Sequence, residues 1–402
     1  MKGNKVYRST HYRSALFNST LFNSTLFHSV IVTRISLTLL LISLTFTSAY
    51  AAPKPESRIT LNNDSHYVYS ANQAAHNISA FKINPKNGQL IELEGSPYKS
   101  GQYPVSIIAT PNNKYVYATN QGSNSISGFS VDPINGVLTE IESSPFHAGR
   151  YPDAITVSPN GKFAYITNEN DKVILTFNIN QTTGELTKTG GLVATGEHPI
   201  SINISPNGKF AYVANFYGHS LSVYTIDEKT GLFQPSAPNA KTDERPIYVT
   251  ITTDNRFAYS SNYGSTTVSA FQINQVTGGL TEVKGSPFLA GAQPYSVTTD
   301  KNSEFLYSAN WGSHDVSVFR INSESGELSE IKGSPFTAGW FPYAVVRDND
   351  NPYVYVANNG EGTISAYHVN EASGALEDVK GSPFATELGP YSMIISGYAM
   401  ID

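Results

Sequence analysis

The stretch SPNGKFAYVANFYGHSLSVY at residues 205–224 has a near copy, SPNGKFAYITNENDKVILTF, at residues 158–177, which lies 47 residues earlier. Repetition at a fixed period indicates an architecture of stacked structural units. One position in the stretch, which we call the marker Asn, lies three residues after the Tyr of an aromatic-x-Tyr pair. Seven marker Asn residues recur at spacings of 47 or 48 residues: Asn72, Asn120, Asn168, Asn215, Asn262, Asn310 and Asn358.

The residue pattern within each repeat predicts four short β-strands. The first strand follows a Pro, a turn such as Pro-Asn-Gly leads to the second, and the second carries the aromatic pair on one face. The third has a Ser-x-Phe/Tyr pattern, and the fourth follows Gly-x-Leu and ends in Gly-Ser-Pro-Phe. No segment of the repeats has a helical period. The sequence therefore predicts an all-β, seven-bladed β-propeller with four-stranded blades, and a linear β-solenoid is the alternative.

The two ends of the repeat array predict how the ring closes. Near the C-terminus, GPYSMIISG at residues 389–397 resembles a first strand that no second strand follows. The first repeat begins at its second strand, so the C-terminal strand can complete its blade and close the ring. Closure would remove exposed sheet edges. Residues 59–61 (Ile-Thr-Leu) also resemble a first strand and compete for the same place.

Residues 1–51 have the features of a secretory signal. They hold five Lys or Arg and no acid, an apolar run at residues 35–46, and an Ala-x-Ala cleavage site at residues 49–51. The run is shorter than the ~20 residues that span a bilayer, although an uncleaved anchor is the alternative. We predict a signal peptide over residues 1–51, a linker over residues 52–61 and one propeller domain over residues 62–402. If translation begins near Val32, residues 1–31 are not part of the natural protein. We expect export to the periplasm or secretion.

The composition excludes several classes of function. Beyond residue 51 the chain carries 21 Lys or Arg against 32 Asp or Glu, which makes its formal charge −11, compared with −6 for the whole chain. Nucleic-acid binding is not expected, because a basic stripe for the phosphate backbone is absent. The chain has no Cys, which excludes disulfides and thiolate catalysis. We expect no cofactor, no metal site, no membrane span after signal cleavage, and a monomer.

The repeat PDAITVSPNGKFAYITN at residues 152–168 and its copies resemble the YVTN-type repeat. With the Gly-x-Leu and Gly-Ser-Pro-Phe motifs, the pattern over residues 57–402 is similar to the lactonase-type seven-bladed propellers. That family includes 6-phosphogluconolactonase and carboxymuconate cyclase-like relatives. The resemblance implies the propeller fold and, as an activity, the opening of a lactone ring.

The resemblance also implies a catalytic set: an Arg-His pair after the Pro of one blade, an acid after its marker Asn, and an Arg in the next blade. Glu169 is an acid at such a position, but Asp153 and Ala154 stand where Arg and His would be. The other register places Ile247, Tyr248, Tyr263 and Trp311 at these positions. The sequence therefore departs from the family pattern at the catalytic positions in both registers.

The loop before the first strand and the loop after the second are expected on one face, near the axis, where ligands usually bind. Titratable residues occupy these loops in the third to fifth repeats: Arg150, Asp153, Glu169, Glu197, His198, Glu244 and Arg245. Aromatic residues occupy them in the later repeats: Tyr263, Tyr295, Trp311, Trp340, Phe341, Tyr343 and Tyr391. We predict that Asp153 and these aromatic residues bind a sugar or lactone ring, and packing of the loops is the alternative role of the aromatics.

Two functions follow from this arrangement. The first is an exported protein that binds a small sugar- or lactone-like ligand, or an envelope protein, without efficient catalysis. The second is a lactone hydrolase, a reaction that needs a base to activate water and a donor for the developing oxyanion. The candidate base is Glu169 or His198, and the candidate donor is Arg245.

Two other groups of residues are weaker candidates for metal sites. His76, His219 and His314 each lie four residues after a marker Asn but belong to distant repeats, so they cannot share one metal. We interpret them as solvated loop residues. Residues 348–351 (Asp-Asn-Asp-Asn) resemble the start of a calcium loop but lack its Gly and its closing Glu. They align with the hairpin turn of the other repeats, which we expect them to form.

Overall fold

The computed structural model describes residues 65–397, which form β-strands joined by turns. The predicted signal peptide, the linker and the competing strand at residues 59–61 lie outside these residues. Among the described residues there is no helix of the length and hydrophobicity needed to cross a bilayer. The strands are β1 (His66–Asn72), β2 (Asn77–Ile83), β3 (Leu90–Glu92), β4 (Tyr98–Lys99), β5 (Pro104–Ala109), β6 (Tyr115–Asn120), β7 (Ser125–Val131), β8 (Leu138–Glu140), β9 (Phe146–His147), β10 (Pro152–Val157), β11 (Phe163–Asn168), β12 (Val173–Ile179), β13 (Leu186–Ala194), β14 (Pro199–Ile204), β15 (Phe210–Asn215), β16 (Ser220–Ile226), β17 (Phe233–Lys241), β18 (Pro246–Ile251), β19 (Phe257–Asn262), β20 (Thr267–Ile273), β21 (Leu280–Glu282), β22 (Phe288–Leu289), β23 (Pro294–Thr299), β24 (Phe305–Asn310), β25 (Asp315–Ile321), β26 (Leu328–Glu330), β27 (Phe336–Thr337), β28 (Pro342–Asp348), β29 (Tyr353–Asn358), β30 (Thr363–Val369), β31 (Leu376–Asp378), β32 (Phe384–Ala385) and β33 (Pro390–Gly397).

These strands form seven antiparallel sheets, which we number as blades 1 to 7 in chain order. Blade 1 has the order β33-β1-β2-β3, and β33 pairs with β1 from Gly397↔His66 to Pro390↔Asn72. The innermost strands of neighbouring blades touch around the whole circle, including β28 with β33 and β33 with β5. The predicted seven-bladed propeller, closed by the C-terminal strand, is confirmed.

The aromatic-x-Tyr pair and the Gly-x-Leu motif together join one blade to the next. In five blades the second Tyr of the pair donates its hydroxyl to the carbonyl of a hairpin Gly in the neighbouring blade, over 2.7–3.0 Å: Tyr69 to Gly136, Tyr117 to Gly184, Tyr212 to Gly278, Tyr259 to Gly326 and Tyr355 to Gly88. A Cβ on Gly184 would lie 2.4 Å from the Tyr115 ring, so the motif needs Gly there. The equivalent hydroxyl of Tyr165 is buried without a hydrogen-bond partner among the described residues.

The Gly-Ser-Pro-Phe motif interrupts the outer strand, and blades 1 and 2 carry the variants Gly-Ser-Pro-Tyr and Ser-Ser-Pro-Phe. The sequence predicts one continuous fourth strand, but in five blades this strand is split into two short pieces that both pair with the third strand. The Ser hydroxyl between the pieces accepts a backbone N–H of the third strand, as Ser144 does from Gly128 at 3.1 Å. The side chain thus supplies a hydrogen bond that the interrupted ladder lacks. Blades 3 and 4 lack the motif, and their outer strands, β13 and β17, are continuous.

The side chain of the marker Asn forms hydrogen bonds between the end of the second strand and the third strand in every blade except blade 3. In blade 2, Asn120 donates its side-chain amide to Ser125 at 3.1 Å and Ser127 at 3.0 Å. Blade 3 has Val173 and Leu175 at those two positions, and neither side chain can accept a hydrogen bond. The Asn168 amide instead donates to the carbonyls of Ala148 at 2.7 Å and Arg150 at 3.2 Å, in the loop before β10.

Candidate functional site

Seven equivalent turns position the side chains around one mouth of the central channel. The residue before the first-strand Pro has a positive φ in every blade, which is 53–55° for the six non-Gly residues and 74° for Gly389. Its carbonyl accepts the backbone N–H of the residue after the marker Asn; Glu169 donates to Tyr151 at 3.1 Å, and Phe216 donates to His198 at 2.9 Å. Left-handed φ costs a non-Gly residue on the order of 1–2 kcal/mol. The turns therefore hold strained residues where the two loops meet.

A cavity of about 340 Å³ opens at this mouth, and we call it the tyrosine cavity. Its walls are formed by the innermost strands and by the residues after the marker Asn of blades 2 to 5. Seven of the residues predicted from the sequence line it: Asp153, Glu169, His198, Tyr263, Tyr295, Tyr343 and Tyr391. The structure thus brings together residues from blades 1 and 3 to 7, which are distant in the chain.

One wall of the cavity is a cluster of tyrosines. Tyr343 lies with its ring centroid 4.3 Å from that of Tyr295 and 4.6 Å from that of Tyr391, and the hydroxyls of Tyr295 and Tyr391 form a short hydrogen bond. Tyr263 meets Tyr295 edge to face at 5.8 Å. Burial raises the pKa of Tyr295, Tyr343 and Tyr391 above the ordinary phenol value, and the charge of Asp153 adds to this for Tyr295 and Tyr391. These hydroxyls therefore stay protonated at neutral pH.

The opposite wall carries three titratable groups in adjacent blades. Asp153 lies at the start of β10, Glu169 directly follows β11 in the same blade, and His198 directly precedes β14 in blade 4. His198 Nδ1 and Glu169 Oε1 make a short contact. Burial raises the pKa of the Asp153 carboxyl well above its ordinary value, and the neighbouring Glu169 charge raises it further. The wall therefore combines a carboxyl that favours its protonated form with a Glu–His pair.

The remaining predicted residues do not line the cavity. Trp311 packs on Tyr263, with ring centroids 5.9 Å apart, and stacks on Phe341 at 4.7 Å, so it contacts a residue of the cavity wall without lining the cavity. Trp340 is 62% exposed on the surface. Arg245 is exposed, with its guanidinium 5.8 Å from the centroid of the Phe216 ring. The predicted role of Arg245 as an oxyanion donor stays a prediction.

Other charged residues of these loops pair with each other at the surface. Arg150 donates through Nε to Asp171 at 2.9 Å and through Nη2 at 2.7 Å, and Lys172 lies 2.5 Å from Glu197. Arg150 and Glu197, which the sequence placed in the charged arc, therefore face partners outside the cavity. Such exposed pairs contribute little to stability.

Sequence reasoning missed four aromatic residues of the cavity, which are Tyr151, Phe216, Tyr217 and Tyr248. Tyr217 meets the His198 ring edge to face at 4.4 Å, and Tyr248 lines the cavity from β18. A signal for Tyr248 was present, because the equivalent position of every other blade is Ser or Ala: Ser106, Ala154, Ser201, Ser296, Ala344 and Ser392.

The loop histidines have a structural role that the sequence did not predict. The Nδ1 atoms of His76, His219 and His314 accept the backbone N–H of Tyr103, Arg245 and Phe341 at 3.0–3.1 Å, and so hold the strained turns. The residues that resemble a calcium loop form the expected turn, in which Asp348 accepts the N–H groups of Asp350 and Asn351. His66 contacts Asp348 at 2.9 Å and Asp350 at 3.5 Å, at the opposite end of the strands from the cavity.

Solved structures with this fold include two named as putative 6-phosphogluconolactonases and one named as a gluconolactonase. A putative 6-phosphogluconolactonase from Bacteroides fragilis is 20% identical, with a TM-score of 0.73 over 84% of this chain and 99% of its own. One from Bacteroides uniformis is 18% identical, with a TM-score of 0.73 over 83% and 100% of the two chains. A periplasmic gluconolactonase from Pseudomonas aeruginosa is 16% identical, with a TM-score of 0.70 over 84% and 99%. At sequence identities of 20% or less, the similarity to these structures shows the fold alone.

Sequence comparisons identify the family. A comparison with curated proteins found no match. The family described as "Lactonase, 7-bladed beta-propeller" matches residues 28–149, 143–250 and 236–339, which together are more than half of the chain. The chain therefore belongs to the lactonase family of seven-bladed β-propellers.

Proposed function

We propose that this protein is exported and binds a small sugar- or lactone-like ring in the tyrosine cavity. One observation carries the proposal: a partly enclosed cavity has tyrosine rings on one wall and the Asp153–Glu169–His198 group on the other. Aromatic faces offer apolar contact area to the C–H face of a ring, and polar groups opposite them orient its hydroxyls. The volume of about 340 Å³ suits one small ring with its substituents.

Export is supported by the signal-like sequence of residues 1–51. A similar solved structure is named as periplasmic, which is consistent with this. N-terminal sequencing of the protein purified from its native host should show a start at Ala52 or a neighbouring residue. A start near Met1 would contradict export by cleavage.

Hydrolysis of a bound lactone is the second candidate, and the Glu169–His198 contact favours it. With Glu169 at Nδ1, the other imidazole nitrogen can take a proton from water, which then attacks the lactone carbonyl carbon. Protonated Asp153 can donate a hydrogen bond to the developing oxyanion. The ring C–O bond then breaks, the leaving oxygen takes the proton from the imidazolium, and a hydroxy acid is released.

Two measurements on the same variants distinguish binding from hydrolysis. Calorimetry would follow the binding of sugars, and a pH indicator would follow acid release from a panel of aldonolactones. If the protein is a hydrolase, Glu169→Gln and His198→Gln should lower the rate by about 10²–10⁴-fold. Glu185→Gln is the control, because Glu185 is exposed on a hairpin of blade 3.

Each result has a defined meaning. Binding of a ring by the wild type without acid release above the uncatalysed rate would identify a binding protein. Acid release that both site variants abolish and the control retains would identify a hydrolase. Absence of both binding and hydrolysis over the whole panel would reject the proposed function.

A further inference from the structure

The tyrosine cavity is lined by two acids and by no Lys or Arg within the described part of the chain. Apart from the tyrosines, the titratable residues that line it are Asp153, Glu169 and His198. A carboxylate in a partly enclosed site acts through a lower dielectric than water, so its field on a bound ligand is weakly screened. The cavity therefore offers an anion no cationic partner except a protonated His198.

The nearest cations are turned away from the cavity or lie at its margin. Arg150 is hydrogen-bonded to Asp171, and Lys172 is paired with Glu197. Arg245 lies over Phe216, a residue that does line the cavity, and so it is the cation best placed to reach a ligand at the mouth. A phosphate on a ring that rests against the tyrosines would have to extend past Glu169 or reach Arg245 to find a positive charge.

Resting on the proposed function, we propose that Glu169 and Asp153 make this cavity a charge filter: it accepts uncharged and amine-bearing rings and rejects rings that carry phosphate or carboxylate. An ammonium group can form ion pairs with the two carboxyl groups and cation–π contacts with the faces of the surrounding tyrosines. An anion loses its hydration without a Lys or Arg partner and is repelled by Glu169. Discrimination thus comes mainly from a repulsive element, as is common in selective sites.

The protonation state of Asp153 responds to the ligand and adds to the preference for amines. Its carboxyl favours the protonated form because of burial and the nearby Glu169 charge. A bound anion would add negative charge to the same region and hold the proton on Asp153 more firmly. A bound amine would instead favour the ionised carboxyl, which it could then contact as an ion pair. The same two acids therefore respond in opposite ways to the two kinds of ligand.

Three probes with the same ring test the filter: glucose, glucosamine and glucose 6-phosphate. Their affinities for the wild-type protein can be measured by calorimetry at low and high salt. We expect glucose 6-phosphate to bind at least about tenfold more weakly than glucose, and glucosamine to bind at least as tightly as glucose. High salt should narrow the gap between glucose and its phosphate, because salt screens the repulsion.

Variants identify the residues responsible. Glu169→Gln should shrink the gap between glucose and glucose 6-phosphate, whereas Glu282→Gln should preserve it. Glu282 is an exposed residue of the outer strand β21, so its variant removes the same formal charge far from the cavity. If Glu169→Gln fails to fold, the salt dependence of the wild type tests the repulsion independently.

The possible outcomes separate this inference from the proposed function. If glucose binds and glucose 6-phosphate binds as tightly or more tightly, the charge filter is wrong while ring binding stands. Loss of that phosphate binding in Arg245→Gln would show that Arg245 provides the anion site instead. If none of the three probes and no lactone of the panel binds, the proposed function fails and this inference fails with it.

Discussion

Replacing Tyr117 by Phe should destabilise the protein, whereas the same replacement at Tyr165 should not. Both side chains are fully buried at equivalent positions of adjacent blades. Tyr117 donates its hydroxyl to the Gly184 carbonyl in the next blade at 2.7 Å, while the Tyr165 hydroxyl has no hydrogen-bond partner among the described residues. The two substitutions delete the same atom, and only the first breaks a bond between blades.

The expected magnitudes follow from this difference. Tyr117→Phe leaves the Gly184 carbonyl without its partner, which costs about 1–3 kcal/mol of unfolding free energy. Tyr165→Phe removes a buried hydroxyl that is already unsatisfied, so we expect a change between about zero and 1 kcal/mol in the stabilising direction.

Equilibrium unfolding in guanidinium chloride, followed by circular dichroism, measures both values. The slope of the transition should be the same in both variants, so that the midpoints report stability. Equal losses of stability in the two variants would refute the reasoning, because the hydroxyl would then matter through packing and not through the bond between blades. A larger loss for Tyr165→Phe would refute it as well.

Three further predictions concern closure, charge and the cavity. Ending the chain at Leu388 removes β33 and should lower the melting temperature by far more than a terminal truncation usually does, since β1 becomes an open edge; a shift of only a few degrees would contradict closure by β33. Because folding raises the pKa of Asp153, this group destabilises the fold progressively as pH rises above about 4. The free energy of unfolding of Asp153→Asn, relative to that of the wild type, should therefore increase between pH 4 and pH 8. A difference that does not change with pH would contradict the raised pKa. Tyr263→Ala should weaken ring binding in calorimetry by about 1–2 kcal/mol, while Trp340→Ala, outside the cavity, should leave it nearly unchanged; the reverse order would move the site to the surface tryptophan.

Much of the candidate site could be read from the repeat, because equivalent positions in every blade face the same mouth. Asp153, Glu169, His198 and four tyrosines were found in this way, and all of them line the cavity. Position in the repeat did not reveal which way each side chain points. His198 and Arg245 occupy the same position, yet His198 contacts Glu169 while Arg245 lies over Phe216.

The reason is a contact between blades that the repeat period does not express. The residue before the first-strand Pro packs against the residue after the marker Asn of the preceding blade, as His198 does on Glu169, Arg245 on Phe216 and Phe341 on Trp311. The chemistry of each pair therefore depends on two different repeats. Tyr248 is a second example. It stands where every other blade has Ser or Ala, but only the structure shows that its side chain lines the cavity.

The sequence by itself determined the number of blades and the order of their strands. Those properties depend on local hydrogen bonding and on the repeat period of 47 or 48 residues. Both can be recognised directly in the amino-acid sequence. The sequence left two segments as candidates for the strand that closes the ring, and the structure pairs β33 with β1. Only the tertiary structure decided that two acids and a histidine meet a cluster of tyrosines in one partly enclosed cavity, while Arg150 and Lys172 pair with acids at the surface. Burial and distance between residues far apart in the chain govern such chemistry, and both exist only after the ring has closed.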